Sequence, residues 1–119
     1  MIRFGALEAG GTKMVLSLMS EEGEMLERVS MPTLTPAETM PKMIAFFKER
    51  NISALGIGCF GPVDLNPASP TYGYITSTPK LAWRSCPIAP AFHEALGVPV
   101  KLDTDVNGAA MAEHALGAA

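Results

Sequence analysis

The stretch Ala6-Leu-Glu-Ala-Gly-Gly-Thr-Lys-Met-Val15 constrains this chain more than any other. An apolar run from Ile2 reaches one acidic residue, Glu8, then Gly10 and Gly11, then Thr12 and Lys13, and turns apolar again. Two strand-like segments, Ile2–Glu8 and Lys13–Ser20, therefore join through a tight turn. Glycines accept positive φ and let a phosphate approach the main chain closely. Thr12 adds a hydroxyl donor, Lys13 a positive charge, and Glu8 is placed to hold a hydrated Mg²⁺ beside phosphates. Gly-Gly is also a good hairpin dipeptide. The turn alone thus leaves two readings open, a plain hairpin and a phosphate loop.

The rest of the chain extends this start into a mixed α/β pattern. Glu22-Gly23 is a second tight turn, and Glu24–Met31 alternates loosely enough for a third, edge-like strand. Thr35-Pro36-Ala37-Glu38 has a helix-start signature, with Thr as N-cap, Pro at the first position and Glu three residues after the cap. Met40, Met43, Ile44 and Phe47 follow at helical spacing to about Arg50, the methionines serving as core filler. Ile52–Cys59 is a short apolar run of the kind found in buried parallel strands. Residues 60–80 form a long Pro-, Gly-, Ser- and Thr-rich connection in which Tyr72 and Tyr74 suggest a small hairpin; a loop this long in a compact domain is more often functional than idle. A short helix near Ala89–Leu96 ends at Gly97, and a last strand leads into an Ala-rich helix from Val106 to about Leu116. The expected order is three antiparallel strands, helix, strand, helix, strand, helix, in a sheet with helices on both faces.

The junction of that last strand and helix, Val98-Pro-Val-Lys-Leu-Asp-Thr-Asp-Val-Asn-Gly-Ala-Ala110, gathers two carboxylates and an amide. Like charges this close repel. Asp at a helix start also caps free N–H groups and suits the helix dipole, so one of Asp103 and Asp105 can be an N-cap. A carboxylate at the carboxyl end of a strand otherwise points into the crevice where open α/β sheets bind ligands.

Together these segments resemble the ROK family of sugar kinases, within the actin-like, hexokinase-like ATPase superfamily. The family's opening Asp-x-Gly-Gly-Thr-Lys stands here as Glu8-Ala9-Gly10-Gly11-Thr12-Lys13. Its Gly-x-Pro-Gly-Pro-Val-Asp is matched by Gly58-Cys-Phe-Gly-Pro-Val-Asp64, and its Pro-Asn-Leu-x-Trp by Pro79-Lys80-Leu81-Ala82-Trp83. Its Asn-Asp-x-Asn-Ala-Ala is matched by Thr104-Asp105-Val106-Asn107-Gly108-Ala109. The departures (Glu8, Phe60, the Thr78-Pro79-Lys80 triplet and Thr104) resemble the bacterial fructokinase branch. Four motifs in the right order across the whole chain are far more specific than any one.

The resemblance implies a ribonuclease-H-like lobe with a mixed five-stranded sheet, and ATP-dependent transfer of a phosphoryl group to the 6-hydroxyl of fructose. It assigns the ATP phosphates to Gly10, Gly11, Thr12 and Lys13, and Mg²⁺ to Glu8 through water. Asp105 becomes the base that takes the sugar's proton, with Asp103 a cap or spectator. The sugar falls to Gly61, Pro62, Thr78, Lys80, Thr104 and Asp105. Lys80 replaces the family's amide and is either a solvated loop lysine or a cation reading a sugar oxygen; Trp83 reads as an anchor of core or loop rather than a sugar platform. ROK kinases for glucose, mannose or an N-acetylated hexosamine are the alternative, and a sugar-sensing repressor a further one. Such repressors carry a helix-turn-helix before this lobe, for which the start of the first strand at Ile2 leaves no room. A ROK kinase continues well beyond this length with a second phosphate loop, an adenosine pocket and a zinc-binding cluster. The chain is therefore expected to be the single N-terminal lobe of a homodimeric enzyme, silent by itself, with zinc only in the part that follows.

Composition agrees. With 119 residues, 48% of them hydrophobic, one domain with a real core is expected. A net charge of −3 offers no electrostatic attraction for nucleic acid or an anionic membrane. No apolar run approaches a membrane span, and the first residues lack a signal-peptide pattern. Cys59 and Cys86 lack Cys-x-x-Cys spacing, and free thiols are the expectation for a reducing cytoplasm. His93 and His114 lack partners at metal-ligand spacing and are expected to be surface or helix-packing residues.

Overall fold

The glycine turn does pair its flanking strands. The computed structural model describes residues 2–10, 12–59, 64–76 and 81–103. Strands β1 (Arg3–Ala9) and β2 (Lys13–Ser20) are antiparallel, with Ala9 opposite Met14 and Arg3 opposite Ser20. Strand β3 (Met25–Pro32) adds antiparallel to β2 after the Glu22-Gly23 turn, where Gly23 has φ +89°. Strands β4 (Ala54–Cys59) and β5 (Val100–Asp103) then add parallel to β1 and to β4, for an order β3-β2-β1-β4-β5. This is the mixed five-stranded sheet expected. The long connection between β4 and β5 holds a short 3₁₀ turn, Leu81–Trp83, and helix α2 (Ile88–Leu96); helix α1 (Pro36–Glu49) links β3 to β4.

The period-two alternation of each strand decides which side chains meet the helices. Leu7 and Ala9, Met14, Leu16 and Leu18, Leu55 and Ile57, and Leu102 all face one core. Met43, Phe47, Ile88 and Phe92 press on it from α1 and α2, with the Phe47 and Phe92 rings edge-to-face at 6.1 Å. Both described helices therefore share one face. Both parallel steps move the same way across the sheet, and right-handed crossovers then put both helices on the same side. Phe4, Ala6, Val15, Ser17 and Ala54 on the opposite face are buried as well. The helix expected over residues 106–116 lies outside the described residues.

Helix α1 begins at Pro36 after Thr35, as its signature predicts, but the capping box is altered. The Thr35 hydroxyl donates to the Glu38 carboxylate at 2.8 Å instead of accepting from the main chain. At its other end Arg50 forks onto Glu27 of β3 at 2.9 and 2.6 Å and lies 3.8 Å over the Phe46 ring. That clamp ties the edge strand to the helix. Helix α2 stops at Gly97, in the left-handed region at φ +68°, whose N–H donates to the His93 carbonyl at 2.8 Å. No helix among the described residues is long and apolar enough to cross a membrane.

Candidate functional site

The three parallel strands β1, β4 and β5 all end at the same edge of the sheet, and three of the candidate segments follow those ends in the chain. Glu8 pairs with Gly58, which pairs with Asp103, so these positions form one row across the carboxyl ends of the strands. The glycine turn follows Ala9, the Gly61-Pro62 segment follows Cys59, and Thr104-Asp105 follows Asp103. Open α/β sheets bind ligands in the crevice beyond such ends. Gly11, Gly61, Pro62, Thr78, Lys80, Thr104 and Asp105 lie outside the described residues; Glu8, Gly10, Thr12 and Lys13 lie within them.

The turn is more constrained than a run of glycines suggests. The Gly10 N–H donates to the Lys13 carbonyl at 3.0 Å, which closes the hairpin. This amide is thus engaged within the hairpin. Gly10 also stays out of the left-handed region, so positive φ does not explain it. Close approach does: a Cβ there would sit 2.7 Å from the Lys13 carbonyl oxygen. Thr33, just past β3, fastens the turn from the side. Its hydroxyl donates to the Gly10 carbonyl at 2.8 Å and its N–H to the Thr12 carbonyl at 3.0 Å. The Thr12 and Lys13 side chains are exposed and extend from this braced turn. Sequence reasoning missed Thr33, because a contact 23 residues away leaves no periodic trace.

Glu8 is exposed and helps line a cleft of about 230 Å³ on the sheet face away from α1 and α2, with Ala6, Val15, Ser17 and Arg28 among its neighbours. Among the described residues no cluster of three His, Cys, Asp or Glu side chains could hold a metal. A single exposed carboxylate at the carboxyl edge nevertheless suits Mg²⁺, which keeps most of its water and is usually held by one or two carboxylates with substrate phosphates. His93 is engaged in structure, its Nδ1–H donating to the Val98 carbonyl at 2.9 Å. Cys59 and Cys86 are both buried and not joined in a disulfide, and burial above all, with Cys59 nearby, pushes the Cys86 thiol up to about 11.

Trp83 belongs to the core, 1% exposed, its indole N–H donating to the Leu34 carbonyl at 2.7 Å. The segment after β4 closes on itself in place of the expected small hairpin. Asp64 N–H donates to the Tyr74 carbonyl at 2.9 Å and Gly73 N–H to the Asp64 carbonyl at 2.8 Å. The Asp64 carboxylate accepts from the Ser69 and Thr71 hydroxyls, each at 2.6 Å, and from the Asn66 N–H at 3.0 Å. These bonds, Ser69 first, hold its pKa below the ordinary aspartate value. The signal for this loop, Asp64-Leu-Asn66 followed by Ser69 and Thr71, is Asx- and Ser/Thr-turn chemistry visible in the sequence.

The model of the ROK family matches residues 4–119. The chain belongs to the ROK family. It is 46% identical over 112 residues to a fructokinase of Lactococcus lactis subsp. cremoris, which covers 94% of this chain and 39% of that protein. It is 30% identical over 116 residues to a glucokinase of Streptomyces coelicolor, covering 93% of this chain and 35% of that one. The fold is similar to a ROK family glucokinase from Streptomyces griseus in complex with glucose and AMPPNP. There the TM-score is 0.67 and the identity 25%, over 87% of this chain and 33% of the other. This ROK chain thus spans about two-fifths of the length of the curated relatives it matches.

Proposed function

We propose that this chain is the N-terminal lobe of an ATP-dependent fructokinase that transfers the γ-phosphoryl group of ATP to the 6-hydroxyl of fructose. The observation that carries the reading is the contrast in similarity, 46% to a fructokinase against 30% to a glucokinase over nearly the same span. The side-by-side ends of the three strands that precede the glycine turn, Gly61-Pro62 and Thr104-Asp105 support it. ROK kinases of glucose, mannose or an N-acetylated hexosamine are the second reading, favoured by the fold shared with a glucokinase.

In this reading Asp105 is ionised and accepts the proton of the 6-hydroxyl as that oxygen bonds to the γ-phosphorus and the bond to ADP breaks. Thr12 and Lys13 bind the phosphates with Gly11, while Gly10 serves by letting the turn close. Gly61, Pro62, Thr78, Lys80 and Thr104 hold the sugar, Lys80 and Thr104 selecting among hexoses, because an unmatched buried polar group penalises the wrong substrate. Glu8 would hold Mg²⁺ through water, and the metal when bound neutralises phosphate charge. The complete enzyme is a cytoplasmic homodimer. The test is Asp105→Asn in the full-length protein, which should lower turnover by ~10²–10⁴ while sugar binding persists. A near-normal kcat would make Asp105 a helix cap. Wild-type kcat/KM for fructose no higher than for glucose would favour the second reading.

A further inference from the structure

Strand β3 ends on Pro32, which stands opposite Lys13 and has no N–H to give. Its place at the edge of the described sheet tolerates that. The next residue takes over the fastening. Thr33 N–H donates to the Thr12 carbonyl at 3.0 Å, and its hydroxyl reaches further round the turn to the Gly10 carbonyl at 2.8 Å. One residue therefore holds two carbonyls of the glycine turn, which the Gly10 N–H closes from within on the Lys13 carbonyl.

Thr33 is itself anchored. It is half-buried, and the Leu34 that follows is bonded through both of its main-chain groups. Leu34 N–H donates at 3.1 Å to the hydroxyl of Thr39, buried in the first turn of α1. The Leu34 carbonyl accepts at 2.7 Å from the indole of Trp83, buried in the core. The β3–α1 junction is thus fixed to the domain on one side and grips the turn on the other. Glycine has more backbone freedom than any other residue, so a turn opened by Gly10 does not hold its shape unaided. The exposed Thr12 and Lys13 side chains can return to one geometry only if the backbone beneath them is held.

We propose that Thr33 is a positioning residue for ATP: by bonding the Gly10 and Thr12 carbonyls, it fixes the backbone from which the Thr12 hydroxyl and the Lys13 ammonium reach the phosphates. This rests on the reading of the glycine turn as a phosphate loop. Nothing in it requires Thr33 to touch the nucleotide.

The test uses the full-length protein and measures ATP KM, fructose KM, kcat and Tm. Thr33→Val removes the hydroxyl but keeps the N–H and the β-branched shape, while Thr33→Ser keeps the hydroxyl. Ser20→Ala is the control, since it removes one hydrogen bond, from the Glu24 N–H at 3.0 Å, in the turn at the opposite end of β2. Displacing a positioned group by ~1 Å can cost up to ~10²-fold, so ATP KM should rise about tenfold in Thr33→Val, with fructose KM within about twofold of wild type. Thr33→Ser should keep both values within about twofold of wild type, because the donor is retained. Ser20→Ala should lower Tm and leave both KM values unmoved. An unchanged ATP KM in Thr33→Val overturns the proposal, as does a parallel rise in both KM values, an equal rise in Ser20→Ala, or a Thr33→Ser enzyme as impaired as Thr33→Val. If Thr33→Val does not fold, Thr33→Ala is judged by the same split. Lys13→Met separates this inference from the reading beneath it. An active wild type whose ATP KM ignores Lys13→Met removes the phosphate-loop reading and this inference with it. A response to Lys13→Met with none to Thr33→Val removes only this inference.

Discussion

Replacing Gly73 by Ala tests whether the loop that Asp64 closes is as tightly fitted as its contacts indicate. Gly73 has φ +84°, and a Cβ there would lie 2.9 Å from the Ala89 Cβ and 3.1 Å from the Pro90 Cδ. Neither neighbour yields cheaply, since one is a methyl fixed to a helix backbone and the other a ring atom. A side chain in the left-handed region costs roughly 1–2 kcal/mol. Overpacking a tight site adds about 1–3 kcal/mol. Gly73→Ala should therefore cost about 2–5 kcal/mol. Gly23→Ala is the internal control: its φ is +89°, but nothing lies within 4 Å of the added Cβ, so only the backbone cost remains. Any loss of unfolded-state entropy from Gly→Ala applies to both and cancels in the comparison. Trp83, the chain's only tryptophan and fully buried, reports unfolding by fluorescence during urea denaturation. Ala89→Gly should restore much of the packing loss in the Gly73→Ala background, though not the backbone cost. The reasoning fails if the two glycine variants differ by less than about 0.5 kcal/mol, the usual error of additivity, or if Ala89→Gly restores nothing.

Three further outcomes are expected. With Cys86 pushed up to about 11 and Cys59 buried, both thiols should react slowly with a disulfide reagent at pH 8 and rapidly once denaturant is added; fast native labelling would show an open cysteine pocket. Hydrogen bonds from Ser69, then Thr71 and Asn66, lower the Asp64 pKa, and the Arg50 hydrogen bond lowers that of Glu27. A depressed carboxylate stabilises the fold above its unfolded value, and the gain disappears as pH falls through the folded one. Stability should thus fall below about pH 4, and Asp64→Asn with Glu27→Gln should flatten that decline in acid denaturation curves. In the full-length enzyme Glu8→Gln should raise the Mg²⁺ concentration needed for half-maximal rate more than fructose KM, and an unchanged Mg²⁺ dependence would leave Glu8 a structural residue.

The sheet was legible because its information is local. Alternation marked the strands, Gly10-Gly11 and Glu22-Gly23 marked the hairpins, and the Thr35-Pro36 pair marked a helix start that the structure places at Pro36. The first strand runs one residue further than its apolar pattern, to Ala9, since pairing with Met14 continues it past Glu8. Contacts between distant segments left no such trace. The Trp83 indole reaches Leu34 across 49 positions and Thr33 reaches Gly10 across 23, and neither distance is encoded in a period. The inward turn of the Gly10 N–H was also hidden, because a glycine pair permits several turn geometries and only the position of the Lys13 carbonyl selects one. The Asp64 loop was legible in principle: its Asx and hydroxyl residues were present, but the tyrosines drew the reading towards a hairpin.

The row Glu8, Gly58 and Asp103 shows why the sheet edge, rather than any one loop, organises the site. Neighbouring strands lie about 4.8 Å apart, so the Cα atoms of positions 8 and 103 are roughly 10 Å apart, with Gly58 between them contributing no side chain. The parallel order β1-β4-β5 makes three chain segments, far apart in sequence, leave side by side. An antiparallel β4 would end at the opposite edge, away from the carboxyl ends of β1 and β5. Strand direction therefore comes first in setting which segments follow one another along this edge. Braces such as Thr33 on the turn and Asp64 within its own loop then fasten segments that the sheet has already set in order.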